Sequence, residues 1–206
     1  MTLQAPFRFD IVGSFLRPDR IKEARARFVR GAIAALDLKQ VEDEEIARLI
    51  EKQKAAGLHT ITDGEFRRSY WHLDFFWGFK GIIHIELDHG YQFHGEETTR
   101  GTAIVTGKIG GENHPFVEHF KYVKGFEDDD TLARQTMPAP AQLLAELYRG
   151  DNGKITDAVY PDREKLLQDI AAAYRQVIRD LYHAGCRNIQ FDDCTWGMFC
   201  DTEYWN

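Results

Sequence analysis

Two adjacent carboxylates, Asp192 and Asp193, stand where the hydrophobic run Arg187-Asn188-Ile189-Gln190-Phe191 gives out. A buried acid must find a cation or a hydrogen-bond donor, or else lose its charge, so a pair of acids at a strand end suits a ligand better than a core. A second group, Asp63 and Glu65, follows the strand-like Leu58-His59-Thr60-Ile61-Thr62, and a polar turn, Val12-Gly13-Ser14, follows Phe9-Asp10-Ile11. Carboxylates gathered in one place can hold an ammonium group, take part in a proton transfer or ligate a metal. Simpler roles exist beside these: Glu65 can pair with Arg67 or Arg68, and one of Asp192 and Asp193 can cap the turn that follows.

The elements that would position these groups are legible in the pattern. Phe9 to Ser14 reads as a short strand ending in a Gly-Ser turn, with Pro18 placed to open a helix. Val41, Ile46, Leu49, Ile50 and Ala56 recur close to helical period, with acids in the first turns and Gly57 as the stop, and residues 58–62 then form a strand. Residues 71–111 break this rhythm with Phe75, Phe76, Trp77, Phe79, Tyr91 and Phe93, several glycines, and alternations such as Ile83-His84-Ile85-Glu86-Leu87. They read as an inserted antiparallel ribbon. A short helix is expected after His114-Pro115, a strand across 132–136 running into Met137-Pro138-Ala139-Pro140, and a helix over 141–148. Pro161-Asp162 opens the longest helix, whose apolar face is Leu166, Leu167, Ile170, Ala173, Tyr174, Val177, Ile178 and Leu181, and Gly185 closes it before the last strand at 187–191.

Four strands alternate with helices, and polar residues crowd the strand ends. This is the pattern of an α/β fold of TIM-barrel-like (β/α) architecture, here a partial barrel of about four parallel strands within a single domain over 1–206. In such a barrel the C-terminal strand ends share one mouth, so Ser14, Glu65 and Asp192 would become neighbours. An open doubly wound sheet is the alternative, but the glycine fingerprint for a dinucleotide does not follow the first strand.

Composition narrows the function. The chain has 206 residues, 43% hydrophobic and 13% aromatic, and a formal charge of -7, enough for a real core and contrary to the basic face that nucleic acid or an acidic membrane requires. No apolar run approaches the roughly 20 residues of a membrane span, and the first residues lack the pattern of a secretory signal, so a cytoplasmic protein with a small-molecule substrate is expected. Cys186, Cys194 and Cys200 are expected as thiols, since their spacings match neither a disulfide framework nor the short pairs of a zinc site. His84, His89 and His94 recur every five residues, which suits one face of neither a strand nor a helix, and they read as exposed loop residues. The aromatic cluster at 71–79 could stack a pterin, though such clusters more often seal a core.

Val12-Gly13-Ser14-Phe15-Leu16-Arg17-Pro18, Thr62-Asp63-Gly64-Glu65-Phe66-Arg67-Arg68, Trp71-His72-Leu73-Asp74-Phe75 and Gly185-Cys186-Arg187 leading into Phe191-Asp192-Asp193 together resemble the cobalamin-independent methionine synthase family, most of all its short, single-barrel bacterial members. The likeness covers the N-terminal half of that family's catalytic barrel. It implies methyl transfer from 5-methyltetrahydrofolate, in its polyglutamate form, to the homocysteine thiol. It further implies that Val12-Gly13-Ser14 hold the carboxylate of homocysteine, and that Glu65 and Asp192 bind its amino group through charge-assisted hydrogen bonds. Asp63, His72 and Asp193 are additional candidates; Asp193 stands where longer members have Glu, and Cys194 where they have Pro. The family activates the thiol with zinc held by a His-x-Cys pair and later ligands. No such spacing occurs here, so no zinc ligand is assigned and no residue is assigned to catalysis. The expectations are a chain incompetent alone as a methyltransferase and prone to self-associate or to need a complementing chain that covers its sheet edges. The alternatives are zinc-dependent alkyl transfer to another thiol such as coenzyme M, and a non-catalytic, assembly-dependent half-barrel.

Overall fold

The structure is a computed structural model that describes residues 11, 13–90 and 92–200. The chain divides into two compact units, the first made of residues 1–68, 119–136 and 186–189, the second of 69–118, 137–185 and 190–206. The architecture is mixed α/β with short parallel sheet pieces.

In the first unit, α1 spans Asp19–Val29 and α2 spans Ala35–Ala55. Helix α2 begins at Ala35, ahead of the Val41 start that the sequence pattern suggests, because the Asp37 carboxylate accepts the Ala34 N–H at 2.9 Å and completes half of a capping box. Its end is fixed where expected. Gly57 takes φ +78°, Leu58 N–H reaches Gln53 O at 3.1 Å and Gly57 N–H reaches Lys54 O at 2.9 Å, the paired bonds of a Schellman stop. Ile46, Leu49 and Ile50 bury one stripe of α2, and Ile21, Ala24, Ile61, Phe66 and Phe120 complete the unit's core.

Strand β1 is Thr60–Ile61. The second unit begins beyond it with helix α3 (Leu73–Phe76), then the ribbon: β2 (Lys80–Glu86), β3 (Gln92–Phe93), β4 (Glu96–Glu97) and β5 (Gly101–Gly110). β2 pairs antiparallel with β5 in the register Ile83↔Ile104, and β3 pairs antiparallel with β4. A bulge at Lys80/Ile82 coincides with Gly81 at φ +78°, where a Cβ would lie 2.4 Å from Lys108 O. The aromatic residues before the ribbon form a core. Phe75, Phe76 and Phe79 are buried, with the Phe75 ring edge-on to Phe79 and Phe116 at 5.1 and 5.0 Å. His84 lies within β2, not in a loop, stacked on Trp77 and bonded to Glu86.

Helix α4 (Pro115–Lys124) follows, then β6 (Leu132–Ala133) and β7 (Gln135–Pro138). The single strand expected at 132–136 is therefore two. Leu132 and Arg134 direct their N–H groups to His59 and Ile61, in the parallel register Thr60↔Leu132, whereas Gln135 turns its N–H to Asn188. Helices α5 (Pro140–Leu147), α6 (Asn152–Val159) and α7 (Arg163–His183) complete the second unit, and β8 (Ile189–Asp192), the partner of β7, comes last before a 3-10 turn at Thr195–Cys200.

Helix α7 is capped by Asp162, whose Oδ1 accepts from the N–H groups of Glu164 and Lys165 at 2.9 and 3.4 Å. Leu166, Ile170, Ala173, Tyr174, Val177 and Leu181 are buried as expected, but Leu167 is exposed, since it falls outside the stripe those residues define. The strand expected at 9–14 lies largely outside the described residues, as does Val12. No helix among the described residues is long and apolar enough to cross a membrane.

Candidate functional site

The best-built polar site of the first unit is the turn that leaves β1. Gln53, buried on α2, clamps its entrance: the side-chain amide donates to Thr62 O at 2.9 Å and accepts from Thr62 N–H at 3.0 Å. Gly64 then takes φ +62° with Leu49 packed where a Cβ would stand, 2.3 Å away. Glu65 follows with φ +61°, a left-handed conformation rare for any residue with a side chain. Such strain costs about 1–3 kcal/mol and persists only where the surroundings impose it.

Those surroundings are explicit. Glu65 N–H donates to Asp63 Oδ1 at 2.8 Å, and Gly64 N–H to Thr62 Oγ1 at 3.1 Å. Gly64 O accepts from Phe15 N–H at 3.1 Å, which ties the Gly13-Ser14-Phe15 segment to this turn. Arg17 donates to the carbonyls of Glu65 and Arg68 at 3.0 Å each, and Arg25 to those of Phe66 and Arg68 at 2.6 Å each. The Glu65 side chain is 3% exposed and its Oε1 accepts from Arg68 at 3.2 Å. Arg68, 1% exposed, is itself bonded to Thr136 O at 2.7 Å and Thr136 Oγ1 at 2.6 Å.

The neighbouring Arg67 turns elsewhere, to Asp43 and Glu42, with its guanidinium over the Tyr122 ring. Burial pushes the Glu42 carboxyl above its ordinary range against the pull of Arg25 and Arg67. Asp43 also feels burial, but hydrogen bonds from Lys39 and Arg67 outweigh it and hold that carboxyl low.

The sequence-derived candidates fall in both units. Gly13 and exposed Ser14 share the first unit with Asp63 and Glu65, and Asp63 serves there as a brace on the Glu65 backbone. Asp192, Asp193 and His72 belong to the second unit. Half-buried Asp192 accepts from Gln190 Nε2 at 2.7 Å, and its backbone O accepts from Ala139 N–H at 2.9 Å. Asp193 is the capping member of the acid pair: Oδ1 accepts from Thr195 N–H at 2.9 Å and from Thr195 Oγ1 at 2.6 Å.

His72 is buried, its ring edge-on to Tyr70, Trp71 and Phe76, and neither ring nitrogen has a hydrogen-bond partner. Its Nε2 lies 3.8 Å from Oε2 of Glu146, a carboxylate with no exposed surface. Glu146 Oε1 accepts from the Thr102 hydroxyl and from Arg149. Burial pushes Glu146 up, but His72, Thr102 and Arg149 together hold it below the usual range.

Among the described residues no three His, Cys, Asp or Glu side chains are gathered as a metal would require. Two of the three cysteines, Cys186 and Cys194, are engaged elsewhere. Cys186 Sγ donates to Asn188 O and Cys194 Sγ to Gln142 Oε1, and burial pushes both thiols up, away from the thiolate that zinc binds. Sequence reasoning passed over Arg17, Arg25, Gln53, Thr136 and Glu146. Only Arg17 lay in a motif already singled out; the others act through contacts distant in sequence.

Comparison with known proteins agrees with the motifs. Residues 8–199 match the family described as cobalamin-independent synthase, catalytic domain. The uncharacterized protein YxjH of Bacillus subtilis is 39% identical over 196 residues, which is 95% of this chain and 50% of that protein. The methionine synthase of Saccharolobus solfataricus is 26% identical over 202 residues, 91% of this chain and 55% of its own. A solved structure from Listeria monocytogenes, assigned as a vitamin-B12-independent methionine synthase, superposes with a TM-score of 0.76 at 41% identity, covering 97% of this chain and 56% of that one. The chain spans about half the length of the curated relatives it matches.

Proposed function

The chain belongs to the cobalamin-independent synthase catalytic-domain family, and from that membership we propose that it supplies the amino-acid-binding portion of a methyl transfer from 5-methyltetrahydrofolate to the thiol of homocysteine. In the overall reaction a sulfur–carbon bond forms as the carbon–nitrogen bond to the pterin breaks, and the thiol proton ends on that nitrogen. The accompanying architecture is a portion of a (β/α) barrel, a reading supported by the parallel pairing of β1 with β6 and by the helices that separate β5 from β6 and β7 from β8.

The observation that carries the proposal is Glu65. A carboxylate 3% exposed, on a backbone at φ +61° braced by Asp63 and Arg17, is poor material for stability and good material for recognising an ammonium group. Gly13 and Ser14, tied to the same turn through Phe15, are proposed to receive the carboxylate of the amino acid, with Val12 preceding them. No step is assigned to zinc, because the described cysteines and histidines do not form its donor set.

Isothermal titration of the 206-residue chain with L-homocysteine tests this. Binding is expected, and Glu65→Gln should weaken it about 10- to 100-fold, the loss of one hydrogen bond to a charged group. Absence of heat with the unmodified chain, or an unchanged affinity in Glu65→Gln, would overturn the assignment.

A further inference from the structure

We propose that Arg68 is a positioning residue for the Glu65 carboxylate and that Thr136 is the anchor that fixes it; this rests on the amino-acid-binding reading above. Arg68 is among the largest fully buried side chains of the protein, and an arginine at 1% exposure must have its guanidinium satisfied or forfeit much stability. Two of its hydrogen bonds go to one residue, Thr136, through the backbone O at 2.7 Å and the hydroxyl at 2.6 Å. Both bonds leave Nη2, so with Nη1 engaged as well the planar group is held at its two ends and has little freedom to rotate. Its other terminal nitrogen, Nη1, reaches Glu65 Oε1 at 3.2 Å.

The division of labour around Glu65 is what singles out Arg68. The backbone of Glu65 is set by Asp63, which takes its N–H, and by Arg17, which donates to its O. Neither of those contacts constrains where the carboxylate points. Arg68 is the described contact that does, through Oε1 of the carboxylate. Packing alone would need neither the left-handed backbone at Glu65 nor an anchor 68 residues away in sequence at Thr136. The chain's own alternative was available next door: Arg67 meets its acids, Asp43 and Glu42, outside the turn and without such an anchor.

The test is a binding cycle on the full chain. Thr136→Val removes the hydroxyl while keeping volume, carbonyl and both charges; Arg68→Lys keeps the charge but replaces the fork with a point donor. Each is made alone and in the Glu65→Gln background, with homocysteine affinity read by calorimetry and folding checked by melting temperature. Expected is a loss of about 3- to 10-fold for Thr136→Val and about 10-fold or more for Arg68→Lys with Glu65 present, shrinking to less than about twofold once Glu65 is Gln, as for residues acting through one shared group. An equal loss in both backgrounds, or a lowered melting temperature with unchanged affinity, would show a purely structural pair and overturn the proposal. Failure of the unmodified chain to bind homocysteine is a different result, which removes the amino-acid reading itself and this inference with it.

Discussion

Replacing Gly64 by Ala puts the turn after β1 to a quantitative test. Two separate penalties are expected. The residue sits at φ +62°, where a Cβ costs about 1–2 kcal/mol against the preferred right-handed regions. The added methyl would also lie 2.3 Å from Leu49 Cδ2 and 3.3 Å from Phe15 Cδ2; Leu49 is buried on α2, and overpacking of this kind costs about 1–3 kcal/mol. The unfolded chain loses some freedom with Ala, which returns about 0.5 kcal/mol. The sum is a destabilisation of about 2–4 kcal/mol, measurable by urea unfolding followed by far-UV circular dichroism, with amide exchange at Thr62 to Phe66 showing whether the opening is local. The steric part can be separated by a double-mutant cycle. Leu49→Ala alone should cost about 2–5 kcal/mol, yet in combination with Gly64→Ala it removes the clash, so the two should couple favourably by about 1–3 kcal/mol while the φ penalty remains. A loss below about 0.5 kcal/mol in the single variant, or strict additivity in the pair, would refute the description of this turn.

Two further outcomes are expected in the second unit. Asp162→Ala should destabilise α7 by about 1 kcal/mol, since its carboxylate caps two N–H groups, and Asp162→Asn should restore most of the loss in a thermal melt. Glu146, held below the ordinary carboxylate range, contributes stability that is fully present above its unfolded value and is lost as pH falls through the lower folded value, because the unfolded chain takes the proton first. Glu146→Gln should therefore flatten the acid side of the melting-temperature profile, and an unchanged profile would count against the buried partnership with His72, Thr102 and Arg149.

Local pattern explains what was legible in the sequence. Gly57 and Gly185 end their helices at the predicted points because each takes a positive φ that a side chain resists, and the alternation across 83–87 marks a ribbon strand. Asp63-Gly64-Glu65 reads as a strand end because acids and glycine cannot continue a buried strand. The split at Arg134 was not legible: Leu132 to Thr136 is a uniform strand-like run, and which neighbour each N–H meets is decided by His59, Ile61 and Asn188, far away in the chain. The same distance hid the Arg68–Thr136 anchor. Between Arg67 and Arg68 the sequence offered no basis for choosing a partner for Glu65; the turn geometry sends one inward to Thr136 and the other toward α2. Leu167 was misplaced for the opposite reason, a hydrophobic residue next to an apolar stripe but one position outside it.

The Gln53 amide has a consequence for how this protein keeps company with others. By giving Thr62 both a donor and an acceptor, it imitates the peptide group of a neighbouring strand. His59 and Ile61 already face β6, so Thr62 presents the opposite border of β1, the kind of margin along which strands join by backbone pairing. A helix side chain is stationed there as a plug, and any strand extending along that border would first have to evict it.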